Sequence, residues 1–152
     1  MRIVIAAVGR LRRGPELDLL ESYRRRMRWP VTIREVEEKR PLPATERRKR
    51  EAELLRQATP EGATVIALDE RGKAVTSAQF ADRIADLQSR GTRNLAIVIG
   101  GADGLDDSLR AGADLTIAFG SMTWPHMLAR GMLMEQLYRA QQILAGHPYH
   151  KG

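Results

Sequence analysis

Short apolar runs alternate with amphipathic segments along this chain. Four of the runs are continuous, which is typical of parallel strands that are covered on both faces. These runs are Ile3–Val8, Thr64–Leu68, Leu95–Ile99 and Leu115–Phe119. A fifth run, Val31–Val36, contains charged residues and is therefore predicted to be an edge strand. The pattern as a whole predicts a mostly parallel β-sheet.

Segments with helical spacing of apolar residues separate these strands. The predicted helices cover Glu16–Met27, Thr45–Gln57, Ser77–Ser89, Asp107–Ala111 and Pro125–Leu144. Thr76 precedes the third helix as its N-cap, and Gln79 completes a capping box. The alternation of strands and helices predicts an α/β fold in which the sheet is flanked by helices. Because only Lys39–Thr45 has the composition of a linker, we expect residues 1–152 to form one domain.

Basic residues are concentrated in the first part of the chain. The sequence has 25 Lys and Arg against 19 Asp and Glu, a net charge of +6. Residues 1–60 hold 16 of these cations and 9 of the acidic residues, with clusters at Arg24–Arg26 and Arg47–Arg50. A surface of this kind suits a phosphate-rich partner. We therefore favour nucleic acid as the partner over an ordinary solvated helix face.

The composition also excludes several classes of protein. The chain has no cysteine, which rules out disulfides, thiolate metal sites and cysteine nucleophiles. No apolar run approaches the roughly 18–20 residues of a membrane span. The first apolar run is also too short for the core of a signal peptide. We therefore expect a soluble, cytoplasmic protein that does not act at a membrane.

Two loops that follow predicted strands are the best candidates for chemistry. Ile97–Leu105 leads from a buried strand into Gly100-Gly101, where the lack of Cβ atoms lets backbone N–H groups approach a ligand. This loop matches neither the dinucleotide fingerprint nor the P-loop. Phe119–His126 combines large apolar side chains with hydroxyl groups and follows the last predicted strand. Loops at strand carboxyl ends are where ligands bind in open α/β sheets.

The three histidines all lie near the end of the chain, at His126, His147 and His150. Without cysteine they do not form a convincing zinc site, and we predict no bound metal. Ser121 with His126 lacks the G-x-S-x-G elbow and the orienting acid of a hydrolase. The tail His147–Gly152 is interpreted either as an arm that contacts a substrate or as a disordered end.

Four motifs in this order and spacing resemble the RlmH family of SPOUT-class RNA methyltransferases. They are LDERGK at Leu68–Lys73, IGGADG at Ile99–Gly104, T-x-P-H at Thr123–His126, and Tyr138–Ala140 followed by HPYH at His147–His150. The HPYH ending is the most specific of these elements, and the glycine loop is the least specific. The resemblance spans nearly the whole chain.

The resemblance implies a fold, a reaction and a set of site residues. The fold is an α/β knot of the deep trefoil type. The reaction is the S-adenosylmethionine-dependent methylation of N3 of a pseudouridine (position 1915 in rRNA numbering) in 23S rRNA of the assembled ribosome. The implied cofactor-binding residues are Leu68, Gly100, Phe119, Gly120, Ser121, Met122, Thr123 and Trp124. The implied catalytic or RNA-recognition residues are Arg139, Tyr149 and His150.

The last predicted helix indicates a homodimer. Its apolar residues cover more than one stripe of the helix surface: Met127, Leu128, Met132, Leu133, Met134, Leu137, Ile143 and Leu144. One face of a sheet can bury only one side of a helix, so we expect the other side to meet a second subunit.

Two other functions stay open on the residues alone. A non-catalytic RNA-binding or ribosome-assembly protein would use the same basic surface without binding S-adenosylmethionine. A dinucleotide-dependent enzyme would use Asp69 to bind a ribose, but no glycine fingerprint stands about 20 residues before it.

Overall fold

The computed structural model describes residues 1–151, and it describes side chains up to Tyr149. The strands are β1 (Arg2–Val8), β2 (Val31–Val36), β3 (Thr64–Ala74), β4 (Asn94–Ile99) and β5 (Leu115–Ala118). The α-helices are α1 (Pro15–Arg24), α2 (Ala44–Ala58), α3 (Ser77–Ser89), α4 (Asp107–Gly112) and α5 (His126–Leu144). A 3₁₀ turn covers Pro148–Lys151. None of the helices in this described part is long and apolar enough to span a membrane.

The strands form one sheet in the order β2-β1-β4-β3-β5, and every neighbouring pair is parallel. Helices α1, α3 and α5 pack on one face over a cluster that includes Leu20, Ile84 and Leu137. Helices α2 and α4 pack on the other face through Leu55 and Leu109. Both faces of the central strands are therefore buried, which explains their continuous apolar sequences. The prediction of an α/β fold with a parallel sheet is confirmed.

Most element boundaries agree with the sequence-based prediction. The capping box at α3 is present, because the Thr76 hydroxyl accepts from the Gln79 N–H and the Gln79 side chain accepts from the Thr76 N–H. Helix α1 ends at Arg24 rather than at the predicted Met27. The chain leaves the helix there, and the N–H of Arg28 donates to Gln141 of α5 at 2.6 Å. Pro125 is the N-cap of α5 and not its first helical residue.

Strand β3 is longer than predicted and contains an irregularity. Its register against β5 shifts between Leu68 and Lys73, so the predicted LDERGK turn is a bulge within one strand. Gly72 is required there, since a Cβ atom would lie 2.6 Å from the carbonyl carbon of Ile117. After the bulge, Lys73 and Ala74 pair again with β5. The bulge residues project at the carboxyl edge of the sheet.

The strand order does not by itself describe how the chain threads. The trefoil knot that the resemblance implies therefore stays a prediction.

Candidate active site

A cavity of about 820 Å³ opens at the carboxyl edge of β3, β4 and β5. Because these strands are parallel, the loops that follow them meet at this one edge. Seven of the eight predicted cofactor-binding residues line the cavity: Leu68, Gly100, Phe119, Gly120, Met122, Thr123 and Trp124. Ser121 belongs to the same loop but is exposed and lies outside this lining. The two loops singled out by sequence are therefore brought together.

The turn after β4 forms one wall of the cavity. The N–H of Gly104 donates to the carbonyl of Gly101 at 3.0 Å, which closes a tight turn. A Cβ atom on Gly100 would lie 2.7 Å from the Gly104 carbonyl group. Glycine at position 100 is thus needed to let the turn fold back on the strand, and not merely to leave space for a ligand. Sequence reasoning identified the residue but not this reason.

Asp69, in the bulge of β3, connects this turn to the rest of the edge. Its side chain is 6% exposed, and it accepts from the N–H of Arg71 at 2.9 Å and from the N–H of Leu105 at 3.4 Å. The guanidinium of Arg110 lies 3.8 Å from the same carboxylate. Asp69 therefore supports the turn after β4, which argues against the ribose-binding role considered above.

The loop between β5 and α5 forms the opposite wall. Thr123 donates its hydroxyl to Glu70 at 2.8 Å, which fixes the loop to the β3 bulge. The indole N–H of Trp124 donates to the carbonyl of Phe119 at 3.2 Å. Trp124 is 41% exposed and Met122 is 72% exposed, so large apolar groups border the opening. Such a wall suits a flat ligand with a polar edge.

The start of α5 contributes a neutral imidazole to the cavity. His126 lines the cavity, and its Nδ1 atom is buried without a hydrogen-bond partner. Burial lowers the pKa of His126, and the nearby positive charge of Arg130 lowers it further, against a smaller opposing effect of a hydrogen bond to the backbone of Val8. The side chain of His126 is therefore uncharged near neutral pH.

The predicted catalytic residues form a separate cluster on the α1–α5 side. Arg139 donates to Glu135 from Nε at 3.0 Å and from Nη2 at 2.7 Å. The Tyr149 hydroxyl lies 3.1 Å from the same Glu135 oxygen and 3.4 Å from the hydroxyl of Tyr23. The guanidinium of Arg139 is 5.1 Å from the centre of the Tyr149 ring. The structure thus brings Arg139 and Tyr149 together, while the side chain of His150 lies outside the described residues.

Charge and burial set the protonation states in this cluster. The hydrogen bond to Glu135 raises the pKa of Arg139, which keeps the guanidinium charged. Burial raises the pKa of Tyr149, with further contributions from Tyr23 and Glu135. Tyr149 is therefore a hydrogen-bond donor and not a base near neutral pH. Its ring also packs edge-on against Tyr138, with 4.8 Å between the ring centres.

Neither Arg139 nor Tyr149 lines the first cavity of its own chain. Glu135 and Tyr23 instead line a second cavity of about 640 Å³, which lies between α1, the start of α3 and α5. Phe119 and Gly120 line both cavities and separate them. The predicted site residues therefore divide into two groups on either side of the β5–α5 loop.

Sequence reasoning missed several residues of the cavity. Three of them lie within the family motifs: Asp69, Glu70 and His126. The sequence alone does not show whether such a residue supports a loop of the site or contacts a ligand. The α2 residues Arg48 and Lys49 also line the cavity, although they are far from the motifs in sequence. Their only signal was the basic run at Arg47–Arg50.

Comparison with known proteins identifies the family of the chain. Residues 1–150 match the family model described as "Predicted SPOUT methyltransferase". Proteins named ribosomal RNA large subunit methyltransferase H are 55% identical in Rhodospirillum centenum and 54% identical in Paramagnetospirillum magneticum, each over 99% of both chains. A solved structure of a probable methylase family protein from Haemophilus influenzae aligns with 97% of this chain and 69% of that one, at 12% identity and a TM-score of 0.61, which supports the fold. The chain belongs to the SPOUT methyltransferase family, within its group of ribosomal RNA large subunit methyltransferases H.

Proposed function

We propose that this enzyme transfers the methyl group of S-adenosylmethionine to N3 of the pseudouridine at position 1915 of 23S rRNA. The observation that carries the proposal is the meeting of the glycine turn and the T-x-P-H loop around one cavity. Membership of the family supplies the type of reaction. The substrate that we propose is the assembled ribosome, which places the enzyme in the cytoplasm.

The residues around the cavity fit S-adenosylmethionine. The volume of the cavity lies within the roughly 300–1,000 Å³ that is usual for small-molecule sites. Leu68, Phe119 and Trp124 offer apolar walls for an adenine ring. The turn at Gly100–Gly104 offers backbone groups to the polar parts of the cofactor. When bound, the cofactor supplies an electrophilic methyl group, and the chain's own residues have to position the nucleotide beside it.

The target nitrogen belongs to an imide, so it has to lose a proton for the methyl group to be transferred. Arg139 carries a permanent positive charge that can stabilise the imide anion. Tyr149 offers a ring on which a base can stack, and its hydroxyl is a donor. His150 is the proposed proton carrier, since an imidazole titrates near neutral pH.

The division of the site into two groups favours a homodimer in which the tail of one subunit completes the cavity of the other. The second cavity has an apolar border that includes Leu19 (37% exposed) and Met132. Gly131 of α5 lets α1 and α5 approach closely, since a Cβ atom at position 131 would lie 3.0 Å from the Leu19 side chain of α1. An apolar surface at this position suits contact with a second copy of α5.

The decisive experiment measures methylation and cofactor binding together. Purified enzyme is incubated with labelled S-adenosylmethionine and 70S ribosomes from a strain that lacks the enzyme, and the rRNA is analysed by mass spectrometry. We expect one added methyl group on the 1915 pseudouridine, with heat of cofactor binding in calorimetry. Methylation at another nucleotide would reject the substrate. Ribosome binding without any heat of cofactor binding would instead favour the non-catalytic RNA-binding protein.

A further inference from the structure

We propose that the cavity-facing side of α2 binds phosphates of the RNA strand on either side of the target nucleotide. This inference rests on the proposed function, because it names the surface over which ribosomal RNA reaches the cavity. The residues that carry it are Arg48 and Lys49, with Thr45 beside them. We call these three residues the α2 rim.

The α2 rim is one face of a regular helix. Thr45, Arg48 and Lys49 stand at positions i, i+3 and i+4, which place side chains next to one another on a helix surface. All three line the cofactor cavity. A ligand phosphate at the mouth of the cavity therefore lies within reach of two cations and a hydroxyl group.

The other two cations of the basic run at Arg47–Arg50 are already engaged. Arg47 donates to the carbonyl of Leu42 at 3.1 Å, and its Nε atom is buried. Arg50 binds Glu38 at 3.2 Å and Glu53 at 2.9 Å. Arg47 therefore links α2 to the preceding segment, and the charge of Arg50 is neutralised by two carboxylates. The expectation that the whole basic run contacts a phosphate-rich partner is narrowed to Arg48 and Lys49.

The α2 rim cations are not neutralised in this way. Among the described residues Arg48 donates to the Thr45 hydroxyl, at 3.5 Å, which is long for a hydrogen bond. Its charge also acts on Glu51 of the same helix, where it opposes the rise in the pKa of Glu51 that burial causes. Lys49 is exposed, and in the described part of the chain no hydrogen bond or ion pair is recorded for it. The pKa of Asp106 is lowered, mainly by the hydrogen bond that Asp106 accepts from Ser108. The charge of Lys49 makes a smaller contribution to the same effect. Both rim cations are thus available to a ligand.

The charges around the cavity mouth are unequally distributed. The carboxylates of the lining lie in the β3 bulge and around α4: Asp69, Glu70, Asp103, Asp106 and Asp107. The cations on that side, Arg71 and Arg110, each contact Asp107. A polyanion approaching the mouth is repelled by this side and attracted by the α2 rim. The asymmetry thus orients the RNA, with its backbone along α2 and the target base turned into the cavity.

The test compares two double variants that remove the same charge. Arg48→Gln/Lys49→Gln removes both α2 rim cations. Arg83→Gln/Arg90→Gln removes two exposed cations, one from α3 and one from its C-cap, and α3 packs on the other face of the sheet. A third variant, Arg48→Lys/Lys49→Arg, keeps the charges of the rim. For each protein, binding to unmethylated 70S ribosomes is measured over a range of salt concentrations, with kcat, KM and the Kd for S-adenosylmethionine.

For each protein the logarithm of the ribosome association constant is plotted against the logarithm of the salt concentration. We expect the slope of this plot to be smaller in magnitude by about 1.4–1.8 for the rim variant, the value for two lost phosphate contacts. Its KM for ribosomes should rise roughly tenfold or more at physiological salt, while kcat and cofactor affinity stay at wild-type values. The charge-preserving variant should recover most of this loss. A rim variant that binds ribosomes as the α3 control does would overturn the proposal. A loss of affinity for S-adenosylmethionine would also overturn it, because these cations would then bind the carboxylate of the cofactor. If the wild-type enzyme binds ribosomes but does not methylate them, only the proposed function is rejected. The salt dependence of ribosome binding still tests the α2 rim in that case.

Discussion

The guanidinium of Arg130 is completely buried and donates to the carboxylate of Glu35 at 2.7 Å. Its other terminal nitrogen donates to the carbonyls of Val8 and Gly9, at 2.7 and 2.8 Å. The same Glu35 oxygen accepts from the N–H of Leu11 at 2.6 Å. One ion pair therefore fixes α5 to the carboxyl ends of β1 and β2 and to the loop that leaves β1. Since α5 begins at the wall of the cavity proposed to bind the cofactor, this pair also positions the site.

Removing the charge of Glu35 should destabilise the fold. In Glu35→Gln the buried guanidinium of Arg130 keeps its charge but loses the carboxylate that compensates it. The Glu35 side chain is 34% exposed, so we expect a fall in the free energy of unfolding between the values for an exposed and a buried pair, about 2 kcal/mol. Urea denaturation measures the change. The control Asp86→Ala removes the exposed pair with Arg90, which should cost less than about 1 kcal/mol. Equal effects of the two substitutions would contradict a structural role for the Arg130–Glu35 pair.

The buried imidazole of His126 should make stability depend on pH. Because the pKa of His126 is lowered in the folded protein, the unfolded chain binds more protons below the ordinary value of 6.5. The free energy of unfolding therefore falls as the pH drops below 6.5, by at most about 1.4 kcal/mol per pH unit for this one group. Urea denaturation at pH 7.5 and pH 5.5 tests this. His126→Gln should show a smaller loss between the two pH values than the wild type, and an identical loss would contradict the assignment.

A side chain at position 100 should abolish cofactor binding by opening the turn after β4. A Cβ atom on Gly100 would overlap the backbone of Gly104, so the turn cannot keep its present closure. We expect Gly100→Val to lose calorimetric binding of S-adenosylmethionine while the protein stays folded by circular dichroism. The control is Gly112→Val at the end of α4, where a Cβ atom would meet no heavy atom within 4 Å. Unchanged affinity in Gly100→Val would remove this turn from the site.

Much of the fold follows from local pattern, because buried parallel strands and capped helices have strong sequence signals. The capping box at Thr76 located the start of α3 to the residue. The bulge in β3 could not be predicted in the same way. It depends on the close approach of Gly72 to the backbone of β5, a contact between residues that are 45 positions apart.

The site was predictable only in part, and for a similar reason. Loops that follow parallel strands meet at one edge, so the grouping of Gly100 with Trp124 could be expected. The contribution of Arg48 and the burial of Arg130 depend on how helices pack across the sheet. A basic run in a sequence does not reveal which of its members is engaged by a neighbouring carbonyl or carboxylate, as Arg47 and Arg50 are here.

A charge in the second cavity should prevent dimerisation. Met132 lines this cavity, on the side of α5 that the sheet does not cover. We expect the wild type to have twice the mass of the 17.0 kDa chain in light scattering at micromolar concentration, and Met132→Glu to have the mass of one chain. The control Gln88→Glu adds the same charge on the exposed face of α3 and should leave the dimer intact. A wild-type protein with the mass of one chain would reject the dimer itself.

The tail cluster lies outside the first cavity of its own chain, and deleting the tail tests whether methyl transfer requires it. Deleting residues 149–152 should leave the fold and the cofactor affinity intact, because Tyr149 does not line the cavity of its own chain. The same deletion should abolish methyl transfer in a single turnover, and Arg139→Ala should nearly do so. Full activity without the tail would overturn the assignment of Arg139, Tyr149 and His150.

Co-expression of two inactive chains distinguishes action within one subunit from action across the dimer. The tail-deleted chain keeps its cofactor cavity, and Gly100→Val keeps its tail. If the tail acts across the dimer, each mixed dimer contains one complete site. Random pairing of equal amounts of two chains then restores about a quarter of wild-type methylation. If the tail acts within its own subunit, every site in the mixture lacks one part and no activity returns. Methylation of unmodified 70S ribosomes by the unseparated mixture of the co-expressed chains therefore decides between the two arrangements.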